Sequence, residues 1–286
     1  MIKITCVVEN SVKLGSPFWG EHGMSVLIEN TQTQERILFD TGQSGEVLLH
    51  NLERLNITPD SIQQLVLSHG HYDHAGGLYA LLKARTAGTT LPIYGHPDIF
   101  SAHFSTHPNG QLKPVMMPKT QAELEALGAR WELNVQSQPI TAQLFTTGEI
   151  PKLEPLENFG DERLVIQNPQ NPDERLKDPI KDDMSLVIQT SQGLIVVLGC
   201  CHAGVINTLN HIEQVFANQP ILAMMGGTHL ASASEARLQK TAERVASIPQ
   251  IGFSHCTGIA VMARFLAQMP QQAFVFQVGT ELTFAL

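Results

Sequence analysis

Four side chains able to hold a metal ion fall within six residues: His69, His71, Asp73 and His74. They lie in Leu65-Val66-Leu67-Ser68-His69-Gly70-His71-Tyr72-Asp73-His74-Ala75-Gly76-Gly77, directly after an apolar run. Alternate residues of an extended segment point to the same side, so His69 and His71 can chelate one cation. Asp73 and His74 come where the chain turns into a helix and can face a second one. Imidazole and carboxylate suit zinc, with iron or manganese as alternatives. Gly70, Gly76 and Gly77 allow a tight turn and close backbone approach. The bland alternative is a polar loop between strand and helix, but three histidines and an aspartate so packed make poor solvated surface.

Other residues share this placement. His202, His229 and His255 also follow apolar runs. Asp40, in Phe39-Asp40-Thr41-Gly42, either orients a ligand histidine through its free ring nitrogen or caps a turn. His229 has three readings: a ligand, a residue facing substrate or backing a ligand, or a structural histidine. Cys200, Cys201 and Cys256 could each offer a thiolate, although small apolar behaviour in the core is the expected role. His96, His103 and His107 form a looser set in a loop-rich stretch. They are expected to be exposed and without a role, with a place at the rim of a site as the alternative. Tyr72 either packs or touches substrate.

The elements that must position these residues read as alternating strands and helices. Strands are expected at residues 2–8, 24–29, 36–39, 64–67, 92–95, 130–135 and 140–146, and helices at 45–55, 75–85 and 120–128. Thr120 with Glu123 is a capping-box pattern. Residues 149–183 hold Pro151, Pro155, Pro169, Pro172 and Pro179 among many charges, and read as one long active-site loop. The second half restarts with a hairpin at 184–198. Helices at 204–216, 234–246 and 259–267 then alternate with strands at 221–225, 251–254 and 274–277, and residues 280–284 close as a strand. Two strand-rich halves, each with helices, imply an α/β protein: two packed sheets with helices outside, as one four-layer domain over residues 1–286. The loop at 11–23 carries Pro17, Phe18, Trp19 and His22. It and the 149–183 loop are expected to shape a pocket.

The His-x-His-x-Asp-His block, after an apolar strand and before Gly-Gly, resembles the signature of the metallo-β-lactamase fold superfamily. Asp40-Thr41-Gly42 resembles its upstream Asp-Thr-Gly element. Leu38–Gln43, Leu67–His74, Gly199-Cys200-Cys201-His202-Ala203-Gly204 and His255-Cys256-Thr257-Gly258 are similar to one branch, the dihydropterin ribofuranosylaminobenzene phosphate synthase-like proteins. The resemblance runs from about Ile4 to Phe284. It implies an αββα sandwich with two divalent metal ions at one edge and a metal-bridging hydroxide as nucleophile. It further implies that His69 and His71 serve one metal and Asp73 and His74 the other, with His202 and His255 as fifth and sixth ligands. Asp73 would also be catalytic, orienting the hydroxide and accepting its proton. One departure stands out. Many relatives carry a bridging aspartate where this chain has Gly199-Cys200-Cys201-His202, which implies a weaker bridge or a loosely held second metal.

Bulk properties narrow the function. The 286 residues are 43% hydrophobic and 16% charged, enough for a sizeable core. A net charge of −9 argues against a nucleic-acid binder. The four cysteines, Cys6, Cys200, Cys201 and Cys256, show no zinc-ribbon spacing or disulfide framework, which fits a reducing cytoplasm. No secretory leader and no apolar run of about 18 residues is read, so no membrane partner is expected. No P-loop or dinucleotide glycine motif occurs. The expected function is a metal-dependent hydrolase of a small ester, lactone or phosphoester. The alternatives are a transferase or synthase acting on a pterin-like phosphorylated substrate, and a redox or ligand-sensing member. Redox members carry glutamate where His71 stands, which counts against the last. The oligomeric state is not read.

Overall fold

The computed structural model describes residues 1–157, 163–168 and 170–286, with the side chains of residues 172 and 173 left aside. In chain order the elements begin β1 (Ile2–Val8), β2 (Ser25–Asn30), β3 (Glu35–Phe39), α1 (Gly45–Arg54), β4 (Gln64–Val66), α2 (Tyr72–Ala75), α3 (Leu78–Lys83) and β5 (Leu91–Gly95). They continue β6 (His103–Thr106), β7 (Leu112–Pro114), α4 (Gln121–Glu125), β8 (Ala129–Leu133), β9 (Leu144–Thr146), β10 (Leu164–Asn168) and β11 (Asn171–Lys177). The second half holds β12 (Ser185–Thr190), β13 (Gly193–Leu198), α5 (Val205–Val215), β14 (Ile221–Gly227), α6 (Glu235–Val245), β15 (Gln250–Ser254), α7 (Ile259–Gln268), β16 (Ala273–Val275) and β17 (Glu281–Phe284).

These strands build a seven-stranded sheet, β17-β1-β2-β3-β4-β5-β8, and a six-stranded sheet, β16-β15-β14-β13-β12-β9. Side chains alternate across each strand, so a strand buried on both faces reads as a continuous apolar run. In β3, Ile37 and Phe39 enter the core between the sheets, while Leu38 faces the opposite way. In β13, Ile195 and Val197 enter that same central core, and Leu194, Val196 and Leu198 face outward. The outward face of the larger sheet is covered by Leu48 and Leu52 of α1, Leu81 of α3 and Leu124 of α4. The outward face of the smaller sheet is covered by Leu209 of α5, Leu238 of α6 and Phe265 of α7. Three cores between four layers make this the expected αββα sandwich. Local chemistry sets several helix starts: Ser44 and Ser234 accept the backbone N–H of Val47 and Arg237, and Thr120 with Glu123 completes its capping box.

Three expectations need correction. The helix at 75–85 begins earlier and breaks into α2 and α3, because Gly76 and Gly77 press against the chain after β3: a Cβ on Gly77 would lie 2.2 Å from the Thr41 carbonyl oxygen. The strand at 140–146 is confined to β9. The 149–183 segment is not simply a loop. Its β10 and β11 pair as a hairpin and join β6 and β7 in a third sheet, ordered β11-β10-β6-β7. Proline and charge hid these strands; β11 is exposed at its described side chains, while β10 is buried or half-buried except at Gln167. Residues 158–162 and 169 of that segment lie outside the described residues.

Candidate metal centre

β3 and β4 run parallel, as do β13, β14 and β15. Parallel strands deliver their carboxyl ends to the same edge of a sheet, where ligand sites form. Asp40 follows β3, His69 and His71 follow β4, His202 follows β13, His229 follows β14 and His255 follows β15. Several turns there are tight: Asp40, Cys201, His229 and His255 have φ between 47° and 59°, a region unfavourable for residues with a Cβ. Gly70 lets the β4 loop lie against the segment after β5, since a Cβ there would sit 2.0 Å from the Ile99 carbonyl oxygen.

The histidines and their neighbours separate into two sets. His69, His71 and His202 each place a ligand atom within 4.8 Å of the other two. All three are buried, and the Nε2 atom of each has no hydrogen-bond partner. Burial drives their imidazoles toward the neutral form, lowering His71 to about 3 and His69 and His202 well below the ordinary value. Buried, neutral and unpartnered nitrogens converging on one point fit a divalent cation. Ser68 stands behind this set, with its Oγ 2.8 Å from His69 Nδ1 and 2.7 Å from Asp40 Oδ2.

Asp73, His74, His255 and Cys200 form the second set, again with ligand atoms within 4.8 Å of one another. Here the atoms already contact each other. His74 Nε2 lies 3.1 Å from Cys200 Sγ and 3.3 Å from His255 Nε2, and Asp73 Oδ2 lies 3.3 Å from His255 Nε2. Asp40 orients the set from behind, its Oδ2 2.6 Å from His74 Nδ1. Burial opposes a charge on His74, yet Asp40 and Asp73 outweigh it and raise the imidazole to about 9. Burial likewise works against ionised Asp73, but His74, His22 and His255 hold its carboxyl well below the usual range. Burial pushes the Cys200 thiol up.

Sequence reasoning missed several members of this centre. Cys200, expected to behave as core, occupies the second set. Cys201 does turn into the outer core, 3.3 Å from Thr208 Oγ1. His22 of the 11–23 loop places Nε2 3.1 Å from Asp73 Oδ2 and is half exposed; the aromatic residues of that loop were its only signal. Glu9 and Asn10 hold His255, through its backbone N–H at 2.6 Å and its Nδ1 at 2.9 Å. His229 groups with Cys200 and Cys256, and its ring centroid is 4.4 Å from that of His202. His96 and His103, expected to be exposed, are both buried: His96 caps the turn after β5 and faces Glu149, and His103 opens β6 of the third sheet; His107 is exposed as expected. His103 Nδ1 lies 2.5 Å from Asp178 Oδ2.

The chain belongs to the metallo-beta-lactamase superfamily, whose sequence profile matches residues 19–167. It is 32% identical, over 99% of its length and 97% of the relative's, to the 7,8-dihydropterin-6-methyl-4-(beta-D-ribofuranosyl)-aminobenzene-5'-phosphate synthase of Methanocaldococcus jannaschii. A shorter match, 45% over 69 residues, links 24% of the chain to 24% of the hydroxyacylglutathione hydrolase of Serratia proteamaculans. Among solved structures it resembles Tm1679, a metal-dependent hydrolase of the beta-lactamase superfamily, with a TM-score of 0.83 and 25% identity over the full length of both chains. Members of this fold are typically metal-dependent enzymes, and the His, Asp and Cys sets described above could bind metal. No helix among the described residues is long and apolar enough to cross a membrane.

Proposed function

We propose that the protein is a dinuclear metallo-hydrolase acting on a small ester, lactone or phosphoester. The observation that carries this reading is the convergence of three bare, buried imidazole nitrogens beside an Asp/His/His/Cys set. His69, His71 and His202 would hold one divalent ion, and Asp73, His74, His255 and Cys200 the other. Zinc suits this mixture of nitrogen, oxygen and sulfur, and manganese or iron remain the alternatives. When bound, two such ions supply an activated water and polarise the attacked oxygen. The chain's own residues do the positioning. Asp40 fixes the ring of His74, and Ser68 links Asp40 to His69. Asp73, held by His22 and His255, would orient the attacking water. His22 covers Asp73 on the exposed side. The ligand would be a small molecule, and four free cysteines suit the reducing cytoplasm.

A second reading is favoured by the full-length match to the Methanocaldococcus synthase: the same centre would join a dihydropterin carrying a leaving group on its 6-methyl carbon to a ribofuranosylaminobenzene phosphate, with loss of that group and a proton. One experiment separates the two. Protein loaded with zinc or manganese is offered simple phosphodiesters, lactones and thioesters, and separately the activated dihydropterin together with the ribofuranosylaminobenzene phosphate. Hydrolysis in the first panel supports the hydrolase. Joined product by mass spectrometry, with no hydrolysis, transfers the assignment to the synthase.

A further inference from the structure

The His103 neighbourhood has a feature that neither metal set uses. His103 opens β6, Asp178 directly follows β11, and Asp182 lies in the segment leading to β12. All three are buried. The third sheet therefore carries a polar group against the first metal set. The His103 and His71 rings meet edge to face with centroids 5.3 Å apart, and a nitrogen of each lies within 4.8 Å of an Asp178 oxygen. Asp182 Oδ2 accepts the backbone N–H of Gly70 at 2.7 Å, between the two histidines of the β4 loop.

Two atoms of this group are left over. His103 Nδ1 is paired with Asp178, and its Nε2 has no hydrogen-bond partner. Asp182 Oδ1 is buried with no partner either. The nearest contact between the two side chains, His103 Nε2 to Asp182 Oδ2, is 3.9 Å, too long for a hydrogen bond. A purely structural role would be met by the His103–Asp178 contact within the third sheet and the Asp182–Gly70 contact to the β4 loop. Val115, Leu164, Ile180 and Tyr72 already supply an apolar contact between that sheet and α2. Two buried polar atoms left bare beside a metal set instead mark a place where a ligand group completes the bonding.

We propose that His103, Asp178 and Asp182 form a substrate subsite beside the first metal set, which takes a hydrogen-bond donor, a hydroxyl or amine N–H, of a substrate anchored on the metals. Asp182 accepts from that donor, His103 Nε2 bonds the same group, and Asp178 holds the His103 ring. This rests on the metal-centre reading above and adds a selectivity for substrates that carry a donor group close to the scissile bond.

The test uses the full chain loaded with cobalt(II), whose visible spectrum reports ligands at the metals. The probes are 2-hydroxyethyl phosphate and its near-isosteric partner propyl phosphate, which lacks the donor. The hydroxyl compound should bind about 10-fold more tightly, the scale of discrimination expected when buried polar groups are otherwise left unpaired. His103→Ala should erase the preference while leaving cobalt content and the ligand-free spectrum unchanged. Asp182→Asn turns an acceptor into a donor and serves as the second variant should the first fail to fold; it too should erase the preference. Equal affinities in the wild type, no binding of either probe, or a preference that survives both substitutions overturns the subsite alone. Failure to take up cobalt overturns the metal-centre reading and the subsite together.

Discussion

The two ligand sets differ in what their atoms do before a metal arrives. In the first, three Nε2 atoms are buried and bare, and burial keeps the rings neutral. In the second, the atoms lean on one another, and His74 is raised to about 9 by Asp40 and Asp73. A cation entering the first set breaks no protein hydrogen bond at the three Nε2 atoms. One entering the second must release a proton from His74, another from the Cys200 thiol, and the contacts among its ligands. Two sites built from neighbouring loops are thus unequal: one is prepared and one is internally satisfied. The first should fill before the second, and the second should depend more steeply on pH.

Breaking the prepared set gives the largest effect. His71→Ala should cut kcat/KM by about 1,000-fold or more and reduce bound metal from two equivalents to one, while circular dichroism stays unchanged. Full activity with full metal content in that variant would sink the assignment.

The metal-free protein tests the same contrast through stability. The folded His74 value, about 9, lies above the ordinary 6.5, so its contribution is fully present below pH 6.5 and lost as pH rises through 9. His71, at about 3, and the lowered His69 and His202 act in the opposite sense. They bind fewer protons folded than unfolded, so stability grows as pH rises toward 6.5. Chelator-treated protein should be most stable near pH 6.5, and the alkaline decline should be on the order of 3 kcal/mol by urea titration. A profile flat from pH 6.5 to 9 would contradict the His74–Asp40 pair.

Smaller effects sharpen the second set. Cys200→Ala should weaken the second metal by about 10–100-fold and spare the first, as read by calorimetric titration. Loss of the first metal instead would mean that the sets are wrongly divided. Asp40→Asn should cost about 10-fold in second-site affinity and flatten the alkaline decline; an unaltered slope would assign that decline to another group.

Much of this contrast was legible before any coordinates. The His69–His74 block is local: its spacing and its place between a strand and a helix are written in consecutive residues. His202 and His255 were reachable because each ends an apolar run, and parallel buried strands end at a common edge. Cys200 was not, since thiol ligands and thiol core residues read alike in isolation. His22 was hidden in a loop whose fold depends on the β1–β2 connection. His103 lay among polar and proline-bearing residues, and a short, half-exposed strand such as β6 leaves little periodicity to read. Its burial follows from β10 and β11, more than 50 residues downstream in the chain.

By itself the sequence determined the kinds of donor atom, their local order and the alternation of strand and helix around them. These depend on near neighbours and on which faces are apolar. Only the tertiary structure decided which donors share a site, which nitrogens are left bare, and that Cys200 joins the second set. Those outcomes depend on burial and on contacts between strand ends far apart in the chain, where a few tenths of an ångström separate a satisfied hydrogen bond from an open coordination position.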